Sequence, residues 1–133
     1  MKIFLLLPLL CVATLVNAQI PVNLDGPVIT VKSTEYDYGT LQKSEKGTYA
    51  YCNFEVQNTG NEPLIISKCK GSCGCTVPQC SSEAILPGGT SLIKVKYDSS
   101  RLGSFTKSVS VFSNASNSAE LKLNIKGTVV DLQ

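Results

Sequence analysis

The chain has no histidine and no tryptophan, and aromatic residues make up only 7% of its 133 positions. Without histidine there is no Ser-His or Cys-His catalytic pair, and no mixed His/Cys metal site. No segment repeats apolar residues at three- and four-residue spacing over several turns, so no amphipathic helix is predicted. Basic residues are scattered singly and the net charge is only +2, which excludes the basic stripe that nucleic acid binding requires. Acidic tails and charge runs are missing too. Asp37, Glu83 and Asp98 fall in separate segments, so no carboxylate pair is placed for general acid–base work.

The one long apolar run is at the start. Met1-Lys2 is a short basic opening, Ile3 to Val16 is almost wholly apolar, and Val16-Asn17-Ala18 offers compact residues where a signal peptidase reads. The run is shorter than the ~20 residues a membrane span needs. Leu10 before Cys11 is too large for lipid-modifying cleavage. Residues 1–18 are therefore expected to be a cleaved signal peptide, which makes the protein exported, periplasmic or at the cell surface. Membrane contact is expected only through that peptide before cleavage. The remainder has the length of one domain.

Residues 19–26, with Pro21 and Gly26, read as a flexible lead-in, and residues 27–133 as the domain. From Val28 onward, short segments alternate apolar and polar with period two and are separated by turn residues, the mark of antiparallel strands. Val28–Lys32 and Tyr36–Leu41 are the first two, the second broken by Gly39. Ala50, Cys52, Phe54 and Val56 face one side of a third strand, with Tyr51, Asn53, Glu55 and Gln57 opposite. Asn58-Thr59-Gly60-Asn61 is a turn, and Leu64–Ser67 resumes as strand. Pro87-Gly88-Gly89 fits a type II turn. Ile93, Val95 and Tyr97 mark a further strand. Phe105, Val109 and Val111 mark the next, its stripe interrupted by Lys107, and Leu121, Leu123, Ile125 and Val129 the last. About seven strands at this spacing predict an all-β, immunoglobulin-like antiparallel sandwich.

Any specific chemistry must come from the cysteines. Five lie between positions 52 and 80, four of them within Cys69-Lys70-Gly71-Ser72-Cys73-Gly74-Cys75-Thr76-Val77-Pro78-Gln79-Cys80. Cys52 lies on the apolar face of its strand and reads as a small buried hydrophobe, with Cys69 as its rival partner. The leading reading of Cys69, Cys73, Cys75 and Cys80 is a pair of disulfides stapling a loop in an oxidising compartment, in any of three connectivities. A second reading is a redox switch at Cys73-Gly74-Cys75. Gly74 permits the bend a bond across one residue needs. Lys68 and Lys70, with no carboxylate between Glu62 and Glu83, would favour thiolates. A third reading uses all four thiolates to hold zinc or copper. Asn114-Ala115-Ser116 matches a glycosylation sequon, a weak signal on its own.

Several strings follow one another in a distinctive order: Tyr36-Asp37-Tyr38-Gly39, Phe54…Asn58-Thr59-Gly60-Asn61…Pro63-Leu64-Ile65-Ile66, and Ser72-Cys73-Gly74-Cys75-Thr76-Val77-Pro78. Pro87-Gly88, Ile93-Lys94-Val95, Gly103…Phe105, Ser113-Asn114-Ala115 and Ile125-Lys126-Gly127 continue them. In this order the chain resembles the exported bacterial domain-of-unknown-function family 1573, related to Hydin-type immunoglobulin-like domains. Ser-Cys-Gly-Cys-Thr is the most specific element. The resemblance implies a periplasmic or surface β-sandwich, carries over Cys73 and Cys75 as motif residues, and implies no activity. Cys52, Cys69 and Cys80 are additions to the family pattern. The expectation is a non-enzymatic structural or protein-binding module without a cofactor, its partner a protein or a cell-envelope component rather than nucleic acid.

Overall fold

The computed structural model describes residues 25–132. Residues 1–18, expected to be a signal peptide, and residues 19–24 of the expected lead-in lie outside the described residues. Gly26, read as the end of the lead-in, is buried, donating its N–H to Asn61 Oδ1 at 2.7 Å and accepting from Asn61 N at 3.1 Å.

Among the described residues, eight strands form two four-stranded sheets: β1 Ile29–Val31, β2 Glu35–Gln42, β3 Tyr49–Asn58, β4 Ile66–Gly71, β5 Thr76–Gln79, β6 Thr90–Asp98, β7 Gly103–Ser113 and β8 Glu120–Val130. One sheet has the order β1-β3-β6-β5, the other β2-β8-β7-β4. The predicted alternation holds: Cys52, Phe54 and Val56 are buried while Tyr51, Asn53, Glu55 and Gln57 are exposed. Antiparallel pairing sets Phe54 opposite Ile93 and Cys52 opposite Val95 in the first sheet. In the second it sets Val109 opposite Leu123. These inward rows meet as one core that also takes in Leu64, Ile66, Val111, Ile125 and Val129. Burying such side chains is worth about 1.5–3 kcal/mol each, so the core is the main source of stability.

Two features differ from the sequence expectation. The strands number eight rather than about seven, because the cysteine run is not a loop. Its first part extends β4 to Gly71, and its last part forms β5. Leu64, expected to open the fourth strand, instead makes an isolated bridge to Ile85. The second difference is that β2 pairs with β8 in parallel, with a register shift between Asp37 and Thr40. Gly39 sits in that irregularity at φ 66°, and Asp37 Oδ1 accepts its N–H at 2.7 Å. Pro87-Gly88-Gly89 makes the predicted turn, with Gly88 at φ 80° and Gly89 N donating to Leu86 O at 2.7 Å.

Near one end of the core the sheets are joined by aromatics. Tyr97 of β6 stacks on Phe105 of β7 with centroids 3.8 Å apart, and Tyr38 of β2 lies 6.0 Å from Phe105. Gly127 makes room for this cluster, since a Cβ there would meet Phe105 Cζ at 2.9 Å and Gly39 O at 3.0 Å.

Candidate cysteine site at the sandwich rim

Cys69 lies in β4, an edge strand of one sheet, and Cys80 directly follows β5, an edge strand of the other. The chain crosses between the sheets through Ser72–Cys75. A register shift between Ile66 and Lys68 lets both Ile66 and Cys69 turn inward, while Lys68 and Lys70 are exposed. Gly71 sits where the crossing begins. A Cβ on it would run into the backbone carbonyl of Thr76, so the two strands approach too closely there for any side chain. Backbone hydrogen bonds fix the crossing: Ser72 N to Ser108 O at 2.8 Å, Thr76 N to Cys73 O at 3.2 Å, and Asp98 N to Cys75 O at 2.9 Å.

The four cysteines form two disulfides, Cys69–Cys80 and Cys73–Cys75, with Cα atoms 6.4 and 5.3 Å apart. Cys52 is a free, buried thiol. The rival Cys52–Cys69 pairing is not formed: Cys69 is bonded to Cys80, and Cys52 stays a thiol on the inner face of β3, opposite Val95 of β6. Burial pushes the Cys52 thiol above its ordinary range, partly offset by a hydrogen bond with Tyr38. Among the described residues no three His, Cys, Asp or Glu side chains converge as metal ligands.

The two disulfides differ in setting. Cys69–Cys80 ties the sheet edges together. Cys73–Cys75 lies at the turn, with Gly74 exposed, Cys73 half-buried and Cys75 only 8% exposed. The hydroxyl of Thr76, itself 1% exposed, lies 3.7 Å from each of its sulfurs. A shallow depression beside this disulfide is lined by Cys73, Gly74, Cys75, Asp98 and Arg101. Asp98 is held below the usual carboxylate range by hydrogen bonds from Ser100, helped by Arg101 and Lys46.

Asp98 and Arg101 carry no local signal in the sequence, because the pairing of β5 on β6 brings them to the cysteines. Thr76 was visible as part of the Ser-Cys-Gly-Cys-Thr string, but its contact with both sulfurs was not. Asp37 caps the β2 turn, its Oδ1 accepting the Gly39 N–H, and Glu83 is exposed, its N–H donated to Ser81 Oγ. The sequon residue Asn114 is occupied structurally, accepting from Ile65 N at 2.7 Å and donating to Pro63 O at 3.2 Å.

A two-sheet sandwich with a cysteine crossing at its rim is the class of domain that these observations define, and known proteins share its fold. The chain matches the family described as Protein of unknown function (DUF1573) over residues 29–129, and it belongs to that family. No curated protein matches the chain. Among solved structures, a protein of unknown function from Porphyromonas gingivalis W83 aligns at TM-score 0.67 and 20% identity. The alignment covers 84% of this chain and 51% of that one, so the chain spans about half of that protein's length. The human CEP192 PapD-like domain 7 aligns at TM-score 0.65 and 10% identity, covering 95% of this chain and 100% of that one. The Pseudomonas aeruginosa CupB2 chaperone aligns at TM-score 0.53 and 10% identity, covering 75% and 55%. At these identities the likeness establishes the immunoglobulin-like, PapD-like fold.

Proposed function

We propose that this chain is an exported β-sandwich module that binds a protein or cell-envelope component through the outer face of its β1-β3-β6-β5 sheet. The observation that carries this reading is the composition of that face. Tyr51 and Leu92 are 53% and 56% exposed on neighbouring strands, and Lys94 Nζ lies 4.6 Å from the Tyr51 ring centroid. Lys96 stands in the same relation to Tyr49. Tyrosine supplies large contact area with few rotatable bonds, and is enriched at interfaces. The cation-decorated rings give such a surface both an apolar and a polar handle.

Export is supported by the apolar leader and by two disulfides, which persist in oxidising compartments. The Cys69–Cys80 bond holds the two sheet edges together, so the binding face is presented on a rigid frame. The reading is tested by placing a photo-reactive residue at position 51 in the producing cell, with position 122 on the opposite sheet as control. A discrete cross-linked species from position 51 alone is expected, lost when Leu92 is changed to Asp. Equal cross-linking from both positions, or none from either, overturns the proposal.

A further inference from the structure

The two disulfides are not equivalent, and their difference points to chemistry. Cys69–Cys80 spans 11 residues and joins two sheets. Cys73–Cys75 joins residues two positions apart, with only Gly74 between them, so the chain-entropy contribution to stability is small. The turn carrying it is already held by the Ser72–Ser108, Thr76–Cys73 and Asp98–Cys75 backbone bonds. Opening Cys73–Cys75 therefore leaves the crossing in place. Structural bonding alone does not account for this second disulfide.

The surroundings of the two sulfurs are asymmetric. Cys73 is half-buried beside exposed Gly74, within reach of an incoming group, whereas Cys75 is buried. Thr76 places an almost fully buried hydroxyl 3.7 Å from both sulfurs. A buried hydroxyl facing disulfide sulfur has only a weak acceptor, but a thiolate is a charged one and makes a much stronger hydrogen bond. Arg101 lines the same depression and adds positive charge, while Asp98 opposite it opposes that effect. The Thr76 hydroxyl is thus better satisfied when a sulfur beside it is released as thiolate.

We infer that Cys73–Cys75 is a thiol–disulfide exchange site for a polypeptide dithiol, with Cys73 the sulfur attacked and Cys75 the sulfur that leaves. A partner thiolate attacks Cys73 Sγ, forming a partner–Cys73 disulfide and breaking the Cys73–Cys75 bond. The electron pair stays on Cys75 Sγ, which accepts the Thr76 hydroxyl proton in a hydrogen bond. A second partner thiolate then attacks the partner sulfur of the mixed disulfide, forming the partner's own disulfide and releasing Cys73 as thiolate. The partner dithiol loses two electrons and the Cys73–Cys75 pair gains them. Return to the disulfide follows the same exchange in reverse with a disulfide-bearing oxidant. The open, shallow surroundings suit a cysteine delivered on an extended polypeptide segment. This step goes beyond the binding reading and stands without it, since it is read from sulfur chemistry rather than from the tyrosine face.

The test mixes the oxidised folded chain with a short unstructured peptide carrying two reduced cysteines, followed by acid quench, alkylation and peptide mapping. One equivalent of peptide disulfide is expected, with alkyl label on Cys73 and Cys75 and the Cys69–Cys80 bond intact. The transient mixed disulfide should map to Cys73. Thr76→Val should lower the equilibrium constant for reduction roughly tenfold, the scale of a lost hydrogen bond to a charged sulfur, without lowering the melting temperature of the oxidised chain. Trapping at Cys75, an unchanged equilibrium in Thr76→Val, or Cys73–Cys75 that reacts only after unfolding would each sink the inference. The peptide test uses the wild-type chain, so it remains decisive if a cysteine variant fails to fold.

Discussion

At the scale of single residues, the residue that sequence reading most undervalued is Asn58. The sequence places it at the start of a turn, yet it is 0% exposed. Its side-chain amide donates to Glu62 O at 2.7 Å and Ile85 O at 2.8 Å. Its oxygen accepts from Gly60 N at 3.0 Å and Val28 N at 3.3 Å. Buried polar groups are costly unless paired, and here one side chain pairs four backbone groups from three segments. Asn58→Ala should therefore lower unfolding free energy by about 3 kcal/mol or more, read as a shift in denaturant midpoint. A loss under 1 kcal/mol would show that water replaces those bonds at little cost. A second residue-scale prediction concerns alkaline pH. Burial raises the phenol of Tyr38, with Cys52 adding to it, and burial also raises Cys52 and Tyr97. The unfolded chain releases these protons near pH 9 to 10, while the folded chain retains them. Their contribution is thus fully present below that range, begins to fall within it, and goes on falling as pH climbs toward the raised folded values. Stability should fall between about pH 9 and 11, and Tyr38→Phe should flatten that fall. An identical pH profile in the variant would contradict the assignment.

At the scale of elements, most strands were legible because each has one buried face, which makes period-two alternation visible in β3, β6, β7 and β8. β5 was hidden for two reasons. It has four residues, too few for a clear alternation. It also carries Pro78, which removes a ladder donor and is tolerated only at an edge, where β5 lies. The parallel pairing of β2 with β8 left no mark either, since pairing direction depends on how the chain crosses between sheets. The site was legible as a set of cysteines and as a glycine-permitted bend. Its connectivity was not, because which cysteines meet depends on β4 and β5 lying on opposite sheets. The Cys69–Cys80 clamp yields a prediction at this scale. Replacing both cysteines by serine should cost about 2–3 kcal/mol, the chain-entropy value for a loop of this length, with the β-sheet circular dichroism unchanged. Collapse of the sheet signal would mean that the core alone does not hold β4 and β5.

At the scale of the whole molecule, a core shared by two sheets provides the stability, a disulfide clamp joins their edges at one rim, and an outer face of tyrosine and lysine is left to solvent. The five described cysteines divide into three environments: a clamp between sheets, a small bridge at an accessible turn, and a buried thiol beside Tyr38. Each environment makes a separate statement about reactivity, and all three are read from one sample. Chain recovered from the cell envelope, alkylated without reduction and mapped by mass spectrometry, should begin at Gln19. It should show Cys69 joined to Cys80, Cys73 joined to Cys75, and Cys52 as a thiol that accepts label only after denaturation. Cys52 bonded to Cys69, or all five thiols free in the native chain, would contradict the account.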